Sequence, residues 1–145
     1  MNTEPIIVQE TYHAPIGKVW TALTEPVQMK EWFFPEMEEF KAETGFETQF
    51  SIHHNDKVFT HMWKVLAVVP GKKLTVRWRF EDVKGEAQVT YELLFLTENE
   101  TKITLTNAGQ ENFPQDVPEF ERESCREGWN YFLKGRLKNY LEGNQ

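Results

Sequence analysis

The sequence has little of several features that usually announce a function. A single cysteine, Cys125, stands among 145 residues, which excludes an internal disulfide framework and any Cys-x-x-Cys redox or zinc motif. No apolar run approaches the roughly 18 residues that suggest a membrane helix, and the N-terminus shows no secretory h-region. From these absences a cytoplasmic protein is expected. Basic residues are also in deficit: 16 Lys and Arg face 23 Asp and Glu, a formal net charge of −7. A protein that grips nucleic-acid phosphates normally presents a basic face. The densest basic stretch, Lys134-Gly135-Arg136-Leu137-Lys138, falls at the end of an expected helix, where cations complement the helix dipole. Neither nucleic acid nor membrane is therefore expected as a partner.

Catalytic signatures are missing too. There is no glycine-rich phosphate loop and no paired-carboxylate motif, and no cofactor is expected. Ser124 and Cys125 lie beside Arg122 and Arg126 on the expected terminal helix, without a histidine that would complete a nucleophile–base set. Cys125 reads as a packed small residue. His53 and His54 are adjacent in an expected strand and so point to opposite faces, which leaves no convincing second ligand for His61 and no metal site.

Aromatic residues, by contrast, are abundant. Eleven Phe, five Trp and four Tyr make 14% of the chain, a content that suits both a packed core and a pocket for apolar ligands. Their placement carries more information than their number. Ile6, Val8 and Tyr12 suggest a first strand. Ala14-Pro15 opens a helix through Ile16, Val19, Trp20 and Leu23 that ends at Pro26, and a short helical stretch follows to about Trp32. Phe34 to Phe40 is ambiguous, with Pro35 allowing an edge strand at best. From Gly45 the period becomes two, with strands over 46–54, 57–69, 72–81, 86–97 and 100–108 separated by turn residues.

Short connections make this region an antiparallel meander. A turn at Asn55-Asp56 pairs Phe50 with His61 and Ile52 with Phe59. A two-residue turn at Pro70-Gly71 pairs Trp63 with Trp78, Val65 with Val76 and His61 with Phe80. Continuing the pattern sets Trp78 against Val89, Val76 against Tyr91 and Leu74 against Leu93, then Phe95 against Ile103, Leu93 against Leu105 and Tyr91 against Asn107. The bulkiest apolar residues of five strands then share one face. The opposite face is polar except for Leu66, Val68, Leu94 and Leu96, which read either as a dimer contact or as scattered surface residues.

The last segment reads as a helix. Asp116 with Glu119 matches a capping box, with Pro118 in the first turn. Trp129, Phe132, Leu133, Leu137, Tyr140 and Leu141 form one apolar face, stopped by Gly143. That face is expected to cover the aromatic side of the sheet. The expectation is an α+β fold: a curved antiparallel sheet of six to seven strands gripping a long C-terminal helix, with two short helices after the first strand. Nothing resembles a linker, so residues 1–145 are expected to form one domain.

The chain resembles the START-like, helix-grip superfamily called SRPBCC, and within it the family named for the activator of the heat-shock-protein-90 ATPase. The likeness is carried by Tyr12-His13-Ala14-Pro15, Val19-Trp20-Thr21-Ala22-Leu23-Thr24 and Trp32-Phe33. It continues through Trp63-Lys64-Val65-Leu66, Leu74 to Trp78, Thr101 to Thr106, and Gly128-Trp129 with Leu133, Leu137 and Leu141. Thr44-Gly45-Phe46 departs from the two consecutive glycines frequent in that family. The resemblance implies a pocket between sheet and helix, since the superfamily includes binders of lipids, hormones and polyketides and a few cyclases. The eponymous chaperone activators carry an additional N-terminal domain without a counterpart in these 145 residues, which weakens the co-chaperone expectation.

The pocket lining expected from these faces is Trp32, Phe50, Phe59, His61, Trp63, Trp78, Phe80, Tyr91 and Trp129, with Glu10, His61 and Asn107 as polar handles. The competing reading is that these residues simply fill a core. Glu10 alternates with Val8 and Tyr12 and is expected to point inward. Three functions follow: a carrier or sensor of a small aromatic molecule, a stress-related protein-interaction module working through a chaperone or a second copy, or a hydrolase or cyclase using His61 with Glu10.

Overall fold

The computed structural model describes residues 3–143. Strand β1 (Ile6–Tyr12) leads into helices α1 (Ile16–Thr24) and α2 (Pro26–Trp32). An irregular crossing over residues 33–46 reaches the meander β2 (Glu47–His54), β3 (Lys57–Val69), β4 (Lys73–Phe80), β5 (Ala87–Thr97) and β6 (Glu100–Ala108). Single 3-10 turns at Gln110–Asn112 and Pro118–Phe120 precede α3 (Arg122–Asn130), a π-helical segment (Tyr131–Arg136) and α4 (Leu137–Glu142). The last three run on without a break as one C-terminal helix. The sheet order is β1-β6-β5-β4-β3-β2, six antiparallel strands with β1 and β2 at the edges.

Pro26 opens α2 as well as ending α1, because Glu25 caps the C-terminus of one helix and the N-terminus of the next. The indole N–H of Trp32 donates to the carbonyl of Ala22 at 2.8 Å, tying the two helices together. Residues 34–40 form no strand. The crossing instead sends Phe33, Met37 and Phe40 into the core, which explains why it shows neither helical nor strand periodicity.

Phe50 lies opposite His61 and Ile52 opposite Phe59. Trp63 faces Trp78, and Val65 faces Val76. The β3–β4 turn holds three residues rather than two, since Val69 pairs with Lys73. A bulge between Val65 and Ala67 absorbs the extra residue, the usual effect of one unpaired residue on one strand. Beyond it the parity is inverted. Val68 pairs with Leu74 and packs against the core, which removes it from the outward patch expected with Leu66, Leu94 and Leu96.

Two further ladders, β4–β5 and β5–β6, differ from the pattern expected. Leu74 faces Tyr91 and Val76 faces Val89. On the next ladder Tyr91 faces Leu105, Leu93 faces Ile103 and Val89 faces Asn107. Each is displaced by two residues, an even number, so every side chain keeps its face. A long β4–β5 loop cannot set register as a two-residue hairpin does, and β5 carries a bulge between Phe95 and Thr97.

The C-terminal helix begins at Arg122 rather than near Asp116; no side-chain capping bond forms, and the Glu119 carboxylate binds Lys57 instead. Trp129, Leu133, Leu137 and Leu141 are buried at strict four-residue spacing. In a regular α-helix four residues overshoot a full turn by about 40°, so this stripe would drift by about 120°. The π-helical turn advances fewer degrees per residue and keeps the stripe against the sheet.

The basic residues of this helix have a different role from dipole compensation. Arg122 donates to the carbonyls of Glu4 and Pro5, Arg126 to Ile7, Lys134 to Gln9 and Lys138 to Thr11. They cap the free edge of β1, the kind of edge that otherwise templates strand pairing between molecules. Among the described residues no helix is long and apolar enough to cross a membrane.

Candidate ligand cavity between sheet and helix

The space between sheet and C-terminal helix is divided. On one side Phe33 and Phe34 fill it. Phe33 stacks on Trp32 at 4.6 Å and meets Phe132 edge-on at 4.8 Å. Phe34 stands 5.0 Å from His61, 5.2 Å from Phe132 and 5.3 Å from Phe50. On the other side, towards the β2–β3 hairpin and the start of the C-terminal helix, lies a cavity of about 340 Å³.

Its sheet wall is Ile52, Phe59, His61, Trp78, Phe80, Ala87, Val89 and Asn107. The helix contributes Cys125, Gly128, Trp129 and Phe132, and Phe34 closes the filled side. The 109–121 segment supplies Gln110, Phe113, Glu119 and Phe120. Phe80, Phe113 and Phe120 form a second apolar cluster with Ala87, and Gln115 staples that segment by donating to the carbonyls of Gln110, Phe113 and Phe120. Gly85 makes the docking possible. At φ +102° it lies so close that a Cβ would stand 2.4 Å from the carbonyl oxygen of Asn112, a conformation and an approach open only to glycine.

Six expected residues line this cavity: Phe59, His61, Trp78, Phe80, Asn107 and Trp129. Five others do not. Trp32 is wholly buried between helices. Phe50 stacks on the far side of His61 at 5.0 Å, and Trp63 lies behind Phe33 and Phe34. Tyr91 is buried under the Trp129 ring, and burial drives its phenol well above the ordinary value. Glu10 sits at the sheet edge, accepting the N–H of Thr11 with Lys138 at 4.0 Å. A carboxylate there does not meet His61 in a shared site, and the expected His61–Glu10 pair does not assemble.

His61 Nδ1 contacts the carbonyl of Phe59 at 3.1 Å. A carbonyl only accepts, so Nδ1 carries the proton and Nε2 is left as an acceptor. Burial lowers the imidazole pKa to about 4, against the opposing pull of that hydrogen bond, so the ring is neutral near pH 7. Trp78 Nε1, Asn107 Oδ1 and Gln110 Oε1 are buried without a protein partner. Burial raises the Cys125 thiol to about 11, the state of an inert packed cysteine rather than a nucleophile. At the rim, Lys57 Nζ donates to Glu119 at 2.9 Å, and His54 stands 3.8 Å from the same carboxylate. Lys57 holds Glu119 below the usual carboxylate range. His54, expected only to point to the face opposite His53, thus belongs to the cavity rim. Among the described residues no group of His, Cys, Asp and Glu could hold a metal ion.

The sequence profile of the family described as "Activator of Hsp90 ATPase homolog 1-like protein" matches residues 13–142. The chain belongs to this family. No curated protein matches the chain in sequence. Among solved structures, protein CV1439 from Chromobacterium violaceum is 23% identical, with a TM-score of 0.79 over 96% of this chain and 97% of that one. DynU16, from the dynemicin biosynthetic locus, is 26% identical with a TM-score of 0.77; the match covers 99% of this chain and 49% of DynU16. The Aha1 dimer from Colwellia psychrerythraea is 21% identical with a TM-score of 0.66, over 97% and 98%. The first and third show a shared fold alone.

Within the Activator of Hsp90 ATPase homolog 1-like fold, this chain's cavity owes much to residues the pattern did not single out. Ala87, Val89, Cys125, Gly128 and Phe132 follow from strand or helix parity once the cavity is placed. Gln110, Phe113, Glu119 and Phe120 come from a stretch without period, in which the sequence offered Gly109, two prolines, two phenylalanines and an apparent capping box but nothing that points to a cavity wall.

Proposed function

We propose that the protein binds a small apolar, aromatic molecule in the 340 Å³ cavity, as a carrier or sensor, through one START-like domain. The observation that carries this reading is the combination of a largely aromatic wall with the few polar side chains of His61, Asn107 and Gln110 on it, His61 Nε2 being left without a protein partner. Functional sites for small molecules have this composition: apolar walls of about 300–1,000 Å³ and a few polar groups that orient the ligand. A core selected only for packing leaves few voids, and fewer orphaned polar atoms. DynU16 belongs to a biosynthetic locus, a setting compatible with small-molecule handling.

Tryptophan fluorescence and thermal-shift screening against sterols, fatty acids, flavonoids and aromatic polyketides test the reading. Trp78 and Trp129 stand in the wall, 5.4 Å apart, so bound ligand is expected to change their emission. A saturable hit that disappears in Gly128→Leu supports the cavity. A flat panel overturns the reading.

A second reading is favoured by a separate observation. Leu94 and Leu96 are 58% and 42% exposed, with Phe95 between them at 56%, an apolar strip suited to a protein partner or a second copy. The Colwellia relative is a dimer. Sedimentation of the wild type against Leu94→Asp tests this: concentration-dependent dimers lost in the variant support it, and a monomer in both rejects it.

A further inference from the structure

Resting on the ligand-cavity reading above, we infer that Phe34 is the residue that sets the length of the occupant. Its ring is the floor of the cavity and limits a planar aromatic ligand to about two fused rings. The limit follows from volume: an engineered cavity of about 150 Å³ accepts benzene, and 340 Å³ is a little over twice that.

The cavity ends at one level on the elements that wall it. Along β3, Lys57 stands at the rim and Phe59, His61 and Trp63 follow on the same face, but the lining stops at His61. On β4 it runs from Phe80 to Trp78 and omits Val76, and on the C-terminal helix it runs from Cys125 to Phe132 and omits Leu133. Phe34 meets the last residue of each series. Its ring lies 5.0 Å from His61, 6.3 Å from Trp78 and 5.2 Å from Phe132. The rim, where His54 and Lys57 approach Glu119, lies at the opposite end, beside the β2–β3 hairpin.

Behind Phe34 lies packed aromatic core. Phe34 stacks on Phe33 at 4.4 Å and stands 5.3 Å from Phe50 and 6.1 Å from Trp63. None of those three lines the cavity, so one ring separates the cavity from the filled side. That ring belongs to the crossing over residues 33–46, outside any helix or strand, and is only half-buried. The neighbouring rings of Trp78, Phe80 and Trp129 are carried by β4 and the C-terminal helix. Deleting the Phe34 ring removes one benzene ring from the wall, and an apolar void left in a packed interior accepts another.

In the wild type, a third fused ring therefore projects past the rim into water and gains little burial. Without the Phe34 ring the ligand sinks by one ring, and its outer ring leaves water.

Titration of the full chain at pH 7 with 2-acetylnaphthalene and 2-acetylanthracene, followed by tryptophan emission, tests this, since both probes are uncharged and differ by one fused ring. The wild type is expected to bind the longer probe no more than about threefold tighter, and Phe34→Ala at least about tenfold tighter. Phe34→Leu is expected to move the ratio in the same direction by a smaller factor, and suffices if Phe34→Ala fails to fold. Phe50→Leu opens space behind Phe34 without reaching the cavity, and is expected to keep the wild-type ratio. The same ratio in the wild type and the Phe34 variants, or an equal rise in Phe50→Leu, would overturn the floor role and leave the cavity reading standing. No binding of either probe by any of these proteins, or binding that persists in Gly128→Leu, would remove both.

Discussion

The hydroxyl of Tyr12, on β1, donates a 2.7 Å hydrogen bond to the main-chain carbonyl of Leu133, inside the widened turn of the C-terminal helix. Both residues are fully buried. Burial, then the charges of Glu10 and Glu142, keep the Tyr12 phenol protonated and able to donate. The bond joins the edge of the sheet to the one place where the helix departs from α geometry, and so holds the turn that keeps Trp129 over the cavity.

Tyr12→Phe is therefore expected to lower stability by about 1–2 kcal/mol, the typical cost of removing one partner of a buried hydrogen bond. Urea unfolding measures it. A loss within a few tenths would show that the bond contributes nothing to holding the turn.

His61 makes stability depend on pH. Its pKa is lowered from 6.5 to about 4 in the folded chain. Between those values the unfolded chain takes up a proton that the folded chain refuses, so stability falls as pH drops and is restored above about 6.5. The full contribution is about 3 kcal/mol. In His61→Phe, which retains a ring against Phe50 and Phe80, this part of the slope is expected to vanish. Unfolding curves at pH 7 and pH 4.5 for both proteins decide it; parallel losses would reject the assignment.

Gly128 faces the cavity from the helix, and a Cβ there meets nothing within 4 Å. Gly128→Ala is expected to raise stability by about 1 kcal/mol through helix propensity alone, while leaving ligand binding in place. Thermal unfolding and titration of the same variant separate the two effects. A destabilised Gly128→Ala would mean the helix packs closer there than the geometry indicates.

Gly85→Ala is expected to cost on the order of 1–3 kcal/mol or more, because a side chain at that positive φ is strained and would collide with the carbonyl of Asn112. The 109–121 wall is expected to loosen, with faster amide exchange at Gln110 to Phe113. Unchanged exchange would show that the wall does not depend on this contact.

The cations along β1 lead to the last prediction. The double substitution Arg126→Ala with Lys134→Ala uncovers the carbonyls of Ile7 and Gln9. Exposed contacts of this kind contribute little to stability, about 1 kcal/mol or less, yet the bare edge is expected to promote concentration-dependent self-association. Analytical ultracentrifugation reads it directly, and an unchanged monomer–oligomer balance would refute the capping role.

Much of this architecture was legible in the residues. The period-two run from Gly45 places Phe50, Phe59, His61, Trp63, Trp78 and Phe80 on one face, and the structure does the same. Registers wrong by two residues at Leu74–Tyr91 and Leu93–Ile103 did no harm, because face depends on parity alone. Parity failed at Val68, where a bulge inserted one residue and turned it from solvent to core. Glu10 misled for a related reason: alternation along an edge strand says which way a residue leans, not whether an interior lies beneath it.

By itself the sequence determined the element order, the face of each strand and the apolar stripe of the last helix, since all three follow from local backbone periodicity. Tertiary structure alone decided that Phe33 and Phe34 pack between sheet and helix, and that Gln110, Phe113 and Phe120 wall the cavity beside them. It also decided that Arg122, Arg126, Lys134 and Lys138 lie along β1. Those are distances between segments far apart in the chain, brought together by packing; no local pattern of residues encodes them.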